Sequence, residues 1–354
     1  MPPRMFGAET QEEVKMKKTV FFGALTVAGL AAGMASAATL DDVKARGSLN
    51  CGVTTGLVGF AAPNAEGVWE GFDVGVCRAV AAAIFGDPTA VEFVPTTGQT
   101  RFTALASGEI DLLARNTTWT MSRDVDLKFE FVGVNYYDGQ GFMVPKALGV
   151  TSAKDLDGAT VCIQTGTTTE LNLADFFRTN NISYEPVPIE TNAEAQQQYL
   201  AGACDVYTTD ASGLAATRAT FEAPGDHVLL PEIISKEPLG PLVRHGDNEW
   251  GDIARWTLNA LVTAEELGVT SANVEELSAA AGDNPEVNRL LGTEGELGAM
   301  LGLDADWAKN AIMAGGNYGE LFENNIGENT TIGLARGLNA QWTDGGLIYS
   351  PPFR

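Results

Sequence analysis

Four groups of polar residues stand where the chain pattern leaves a strand or opens a helix, and each could hold a charged group of a small ligand. The first is Asn116-Thr117-Thr118-Trp119-Thr120-Met121-Ser122-Arg123. Hydroxyls and backbone N–H groups in such a loop can hold a carboxylate, and the planar guanidinium of Arg123 fits one bidentately. A surface loop whose arginine caps a helix is the ordinary alternative. The second is Gln164-Thr165-Gly166-Thr167-Thr168-Thr169-Glu170. Thr167-x-x-Glu170 has the form of a capping box, and the helix it opens presents free N–H groups and a positive dipole end to an anion. The third is Asp210, whose carboxylate would pair with an ammonium, cap the following helix, or do both. The fourth is Arg101, a cation at a helix N-terminus, where it opposes the dipole. A bound anion would relieve that conflict, and so would simple solvation. Catalytic signatures are missing: the sequence has no G-x-S-x-G, H-E-x-x-H, Walker loop or G-x-G-x-x-G. With His227 and His245 as the only histidines, acid–base chemistry has no evident set of groups.

The elements that position these groups follow from the spacing of apolar residues. Ser48–Val53 reads as a buried strand. Phe72, Val76, Ala79, Val80, Ala83 and Ile84 keep helical spacing over 72–85, and Gly86-Asp87-Pro88 stops that helix. Strand 91–95, helix 100–106 and strand 110–114 complete a βαβαβ unit, which implies a parallel sheet covered by helices. The rhythm restarts with strand 159–164, helix 167–178, strand 184–187, helix 193–201 and strand 206–209. In such sheets ligands bind at the carboxyl ends of strands, where Asn116, Thr165 and Asp210 all fall. Between the halves, residues 136–145 carry Gly139 and Gly141, which would permit the dihedral change of a hinge. Pro238-Leu239-Gly240-Pro241 then precedes a short strand at 242–244, and a helix is expected over 252–267. Two α/β lobes joined by two crossovers with a cleft between them account for this order. Residues after about 280, rich in Gly and Asn, exceed what a binding lobe needs and carry no functional expectation.

Composition sets the setting. Residues 16–37 run from Met16-Lys17-Lys18 through an apolar stretch to Ala35-Ser36-Ala37, the pattern of a secretory signal peptide, with residues 1–15 as an extended start. The apolar stretch is short and Gly/Ala-rich for a membrane span. The net charge of −24 repels nucleic acid and anionic membrane. An anionic ligand would therefore need local arginines. Cys51, Cys77, Cys162 and Cys204 suggest disulfides in an exported chain. Three pairings exist; Cys51–Cys77 with Cys162–Cys204 is favoured because each joins nearby elements, and four buried thiols remain the alternative. No metal site is expected, since no C-x-x-C occurs.

The stretches WEGFDVGVCRAVAAAIFGD, RFTALASGEIDLLARNTTWTMSRD, NYYDGQGFMV, IQTGTTTELNLADFFR, CDVYTTD and ISKEPLGP together resemble the polar amino-acid substrate-binding proteins of ABC transporters. The resemblance covers residues 38 to 354. It is strongest to the general L-amino-acid and glutamate/glutamine/aspartate/asparagine-binding branch. It implies a two-lobed periplasmic binding protein of the type II, Venus-flytrap form, with lobe one at 38–138 and 247–354 and lobe two at 139–246. It also implies roles: Arg123 for the α-carboxylate with Asn116, Thr118 and Thr167; Asp210 for the α-ammonium; Arg101 for a side-chain carboxylate. Thr165 and Asn192 would add side-chain contacts, and Phe60 an aromatic wall. Two departures stand out. Thr54 replaces a second side-chain arginine and Gly98 replaces a serine, which favours acids and amides alike.

The expected function is capture of polar L-amino acids in the periplasm by a monomer, for delivery to ABC permease subunits, with no enzyme activity, cofactor or nucleic-acid partner. A dehydratase of prephenate-like acids on the same scaffold and an amino-acid sensor are the rival readings.

Overall fold

The computed structural model describes residues 38–354, and the expected extended start and export segment, residues 1–37, lie outside them. Two mixed sheets of five strands each form the frame, in the orders β4-β1-β5-β14-β6 and β10-β9-β11-β8-β12. In the first sheet β1 (Leu49–Thr54) pairs in parallel with β4 (Val91–Thr96) and β5 (Leu112–Leu113). In the second, β9 (Ala159–Gln164) pairs in parallel with β10 (Tyr184–Ile189) and β11 (Val206–Asp210). Parallel neighbours need crossover connections. Helices α2 (Phe72–Phe85) and α3 (Arg101–Ser107) supply them in the first half, α4 (Thr168–Asn180) and α5 (Asn192–Leu200) in the second. The strand expected at 110–114 is shorter, because Arg115 and Asn116 already turn toward the cleft.

The fourth strand of each sheet is antiparallel, and it is the strand the chain makes just after crossing between lobes. β8 (Gln140–Pro145) lies against β11, followed by β12 (His227–Leu229); β14 (Leu242–Arg244) lies between β5 and β6 (Phe129–Phe131). The crossings themselves form a two-stranded ribbon of β7 (Tyr136–Asp138) and β13 (Glu237–Leu239), with Asp138 opposite Glu237. A separate hairpin, β2 (Ala62–Pro63) with β3 (Trp69–Glu70), precedes α2. Gly139 and Gly141 do not supply left-handed backbone to this hinge: neither has a positive φ. Gly139 is instead a site of close approach, where a Cβ would overlap the Ile233 side chain and sit 2.8 Å from the Ser235 carbonyl. The hinge is a hydrogen-bonded ribbon rather than a glycine swivel.

Two disulfides fix strands to their surroundings. Cys51 on β1 joins Cys77 on α2, with Cα atoms 6.1 Å apart, and Cys162 on β9 joins Cys204 before β11, at 5.6 Å. Short α1 (Thr39–Arg46) and long α7 (Asn248–Glu266), capped by the Asp247 side chain, cover the first sheet. The helices α8 (Val274–Ser278), α9 (Pro285–Leu290), α10 (Leu297–Met300), α11 (Trp307–Gly315) and α12 (Tyr318–Asn325) follow, and α11 packs along α2. This last part grips the hinge. The Tyr318 hydroxyl donates to the Asn135 carbonyl at 2.9 Å, and Asn339 exchanges two hydrogen bonds with the Tyr137 backbone.

Candidate functional site

The carboxyl ends of the parallel strands in both sheets face one cleft, partly open to solvent, whose empty space is about 560 Å³. Arg101, Asn116, Thr118, Thr167, Asn192 and Asp210 all line it. Three of the expected residues do not. Phe60 is fully buried in an edge-to-face cluster with Phe72 and Tyr136, so no aromatic wall forms there and Leu57 lines the cavity instead. Thr165 stands at the rim, where it accepts a hydrogen bond from Gln99 Nε2 at 3.1 Å and donates to the Ile189 carbonyl. Arg123, on a single π-helical turn at Ser122–Asp126, lies behind Thr118, whose carbonyl accepts from its Nη1 at 2.9 Å.

The cationic side comes from loops of the first sheet. Arg101 opens α3 and is 2 % exposed. Its Nη1 reaches Thr117 Oγ1 and its Nη2 the Gly166 carbonyl across the cleft, both at 3.4 Å, while Nε has no partner. Burial, then the neighbouring Arg115 and Arg123, push its pKa well below the usual guanidinium value. A buried donor without an acceptor is costly. The Phe102 ring lies 4.8 Å from the Arg101 Cζ and 5.1 Å from that of Arg123, within cation–π range. Arg115 also lines the cavity, with its Nε held by the Thr96 carbonyl at 3.1 Å. Asn116 adopts φ +38°, a conformation Asn tolerates better than most residues, and donates its N–H to Asp73.

The other side comes from the second sheet and the hinge ribbon. Thr167 caps α4: its hydroxyl accepts from the Glu170 N–H at 3.2 Å, while Glu170 reaches back to the Gly166 N–H, one residue earlier than in a reciprocal box. Asp210 ends β11 at the N-cap position of α6 (Ala211–Ala219), yet its side chain makes no capping bond. Asp138 takes that task, accepting from the Ser212 N–H and hydroxyl. The Asp210 carboxylate is thereby left to the cavity. Burial, Asp138 and Glu237 raise its pKa well above the usual carboxylate range, against the pull of Arg101 and Arg123. Glu237, 1 % exposed on the hinge ribbon, accepts from Thr118 on one side at 2.6 Å and from Thr168 and Asn172 on the other at 2.9 and 2.7 Å. The lobes also meet at Asn192 Nδ2, which donates to the Gly56 carbonyl. Sequence reasoning missed Arg115 and Glu237. Arg115 directly precedes Asn116 at a strand end, so the strand-end rule would have found it; nothing local marks Glu237.

Two α/β lobes on a two-strand hinge, closed over guanidiniums on one wall and a carboxylate on the other, are the form of a ligand-capturing binding protein. The pattern of the bacterial extracellular solute-binding proteins, family 3, matches residues 49–272, and the chain belongs to that family. It is 68% identical over 339 residues to the glutamate/glutamine/aspartate/asparagine-binding protein BztA of Rhodobacter capsulatus, covering 96% of this chain and 100% of that one. It is 57% identical over 341 residues to the general L-amino acid-binding periplasmic protein AapJ of Rhizobium johnstonii, with the same coverage. Among solved structures, a periplasmic binding protein from Brucella ovis with glutathione bound superposes with a TM-score of 0.87 at 57% identity, covering 90% of this chain and 100% of that one.

Proposed function

We propose that this protein captures polar L-amino acids (glutamate, glutamine, aspartate and asparagine) in the periplasm and delivers them to ABC permease subunits, as a monomer and without catalysis. The observation that carries this reading is the Asp210 carboxylate. It has no capping bond and shares the cleft with buried guanidiniums. A zwitterion oriented with its ammonium at Asp210 and its carboxylate toward the opposite wall satisfies both. The α-carboxylate sits at Thr118, Asn116 and the first turn of α4 with Thr167, and Arg123 adds its charge from behind Thr118. Arg101 faces a side-chain carboxylate or amide, and Asn192 lines the same cavity. Lobe one comprises 38–138 and 247–354 and lobe two 139–246, and a ligand favours closure because it touches both. Removal of residues 16–37 on export gives a mature chain starting near Ala38, which intact-mass measurement checks.

The names of the relatives support this reading, as does the surplus of negative charge, −24, which disfavours nucleic acid. Glutathione belongs in the same test, because its γ-glutamyl end carries an α-carboxylate and an α-ammonium, and the Brucella ovis relative was solved with it. Isothermal titration of ligand-stripped protein with the four amino acids and glutathione decides the matter. Micromolar or tighter binding of at least one of the four is expected; no heat from any of them would sink the proposal. Conversion of a prephenate-like acid to an aromatic product would establish the dehydratase instead. Recovery of a membrane kinase rather than a permease in a pull-down would establish the sensor.

A further inference from the structure

Arg101 and Arg115 line the cavity and Arg123 lies behind Thr118; Arg101 spends both terminal nitrogens on protein and Arg123 one. Arg101 uses Nη1 on Thr117 and Nη2 on the Gly166 carbonyl, and Arg123 uses Nη1 on the Thr118 carbonyl. Arg115 differs. Its backbone carbonyl accepts from Thr117 Oγ1 at 2.9 Å and its Nε is tied to the Thr96 carbonyl, so the side chain is anchored at both ends of its stem. Among the described residues its two terminal nitrogens have no hydrogen-bond acceptor, although the residue is only 5 % exposed and that exposure opens on the cavity.

All three cations feel the Asp210 carboxylate, and Arg101 and Arg123 also feel Glu237, at the hinge end. Arg115 has Asp73 and Tyr207 as further neighbours. Burial pushes its pKa down to about 10, so it remains a cation at neutral pH. Close by, Tyr207 and Asn192 are already committed. The Tyr207 hydroxyl donates to Asn192 Oδ1 at 3.0 Å, Thr217 donates to the same oxygen, and Asn192 Nδ2 donates to the Gly56 carbonyl. A ligand carboxylate placed here meets a free planar fork. A ligand amide placed here offers that fork one neutral oxygen, so one prong is left unpaired. A site whose polar groups are left unpaired by the wrong ligand discriminates strongly.

We infer that Arg115 is a specificity-determining residue that receives the side-chain carboxylate of acidic amino acids and makes the site prefer glutamate and aspartate over glutamine and asparagine. This inference rests on the amino-acid-binding reading above and sharpens it, because Arg101 no longer has to serve as the sole side-chain cation.

The test is isothermal titration of glutamate and glutamine, and of aspartate and asparagine, into ligand-stripped parent, Arg115→Met and Arg115→Lys proteins. In the parent the acid is expected to bind tighter than its amide, by roughly 10- to 100-fold. Arg115→Met keeps the stem but removes the fork, and should weaken the acids by a similar factor and the amides clearly less, so that the acid-to-amide ratio falls. Arg115→Lys restores the charge without the fork and should fall between. An acid-to-amide ratio unchanged in Arg115→Met, or equal loss of acid and amide, overturns the assignment, because a merely structural role would weaken both alike. If thermal melting shows Arg115→Met unfolded, the ratio in Arg115→Lys decides in the same way. Failure of the parent protein to bind any of the four is a different result and overturns the amino-acid reading itself.

Discussion

Asp210→Asn separates binding from stability, because the two should move in opposite directions. The native carboxylate takes no capping bond from α6. Its negative charge is therefore left for a ligand ammonium, with which it makes charge-assisted hydrogen bonds, each contributing about 1.5–3 kcal/mol. An asparagine oxygen still accepts one neutral bond, of about 1 kcal/mol. The net loss is then about 2–4 kcal/mol, a weakening of roughly 30- to 1,000-fold in Kd. Without ligand the same substitution removes a charge that burial, Asp138 and Glu237 all disfavour, so the stripped variant should melt at a higher temperature than the stripped parent. A proton count provides a third readout. The pKa of Asp210 is raised in the free protein and falls when an ammonium pairs with it. Binding below the free-state pKa therefore releases a proton, seen as a dependence of the titration heat on buffer ionisation enthalpy, and the release should diminish in Asp210→Asn. Glutamate binding by the variant within threefold of the parent, or a lower melting temperature without ligand, would refute this reasoning.

Other perturbations reach the hinge, the cleft rim and the titrating groups. Glu237→Ala removes the acceptor shared by Thr118, Thr168 and Asn172 and should lower unfolding stability by about 2–5 kcal/mol in urea titration; an unchanged midpoint would show that these bonds are dispensable. Gly98→Ser builds a Cβ 2.5 Å from the Thr165 carbonyl across the cleft, so closure should suffer and ligand Kd rise by about tenfold with folding intact; parent-like affinity would mean that the rim yields. Asn339→Ala breaks both bonds to the Tyr137 backbone and should cost about 1–3 kcal/mol of stability; a loss within experimental error would remove the clamp from the account. Asp73 and Asp138 have folded pKa values raised to about 6, chiefly by burial. A raised carboxyl pKa gives stability that is fully present below the unfolded value, about 4, and lost as pH climbs through the folded one. The melting temperature of stripped protein should therefore fall between about pH 4.5 and 7, and a steady rise across that window would contradict the burial of these two acids.

Much of the frame was legible because its signals are local. Glycine in left-handed backbone ends α1, α2 and α3 at Gly47, Gly86 and Gly108, and both βαβαβ units lie where the apolar spacing puts them. The loops that carry Asn116, Thr167 and Asp210 follow from strand ends alone. What failed depended on packing at a distance. Phe60 is drawn into a cluster with Phe72, Tyr136 and, through them, Tyr318 and Phe322 of the C-terminal helices. No pattern near residue 60 reveals those partners. Glu237 is buried among four donors, Thr118 from the 116–123 loop, Thr168 and Asn172 from α4, and Ser235 two residues before it. The capping question at Asp210 was open for the same reason: the competing acid, Asp138, lies 72 residues away in sequence and meets Ser212 only across the β8–β11 pairing.

The distribution of charge explains why such a site should select an amino acid rather than any small anion. The buried cations Arg101, Arg115 and Arg123 all come from loops of the first sheet, whereas Asp138, Asp210 and Glu237 come from the second sheet and the hinge ribbon. Opposed walls of opposite sign attract as the cleft shuts, even without a ligand. A simple carboxylate entering this gap would screen the guanidiniums but leave Asp210 buried and unpaired, and an uncompensated buried charge is the costlier outcome. A zwitterion reproduces the polarity of the walls it separates, carboxylate toward the arginines and ammonium toward Asp210. Discrimination against anions lacking an ammonium therefore comes from the wall that does not touch the carboxylate. The overall surplus of negative charge does not oppose uptake of glutamine or asparagine, whose zwitterions carry no net charge, whereas glutamate and aspartate carry one negative charge that the buried guanidiniums must offset locally.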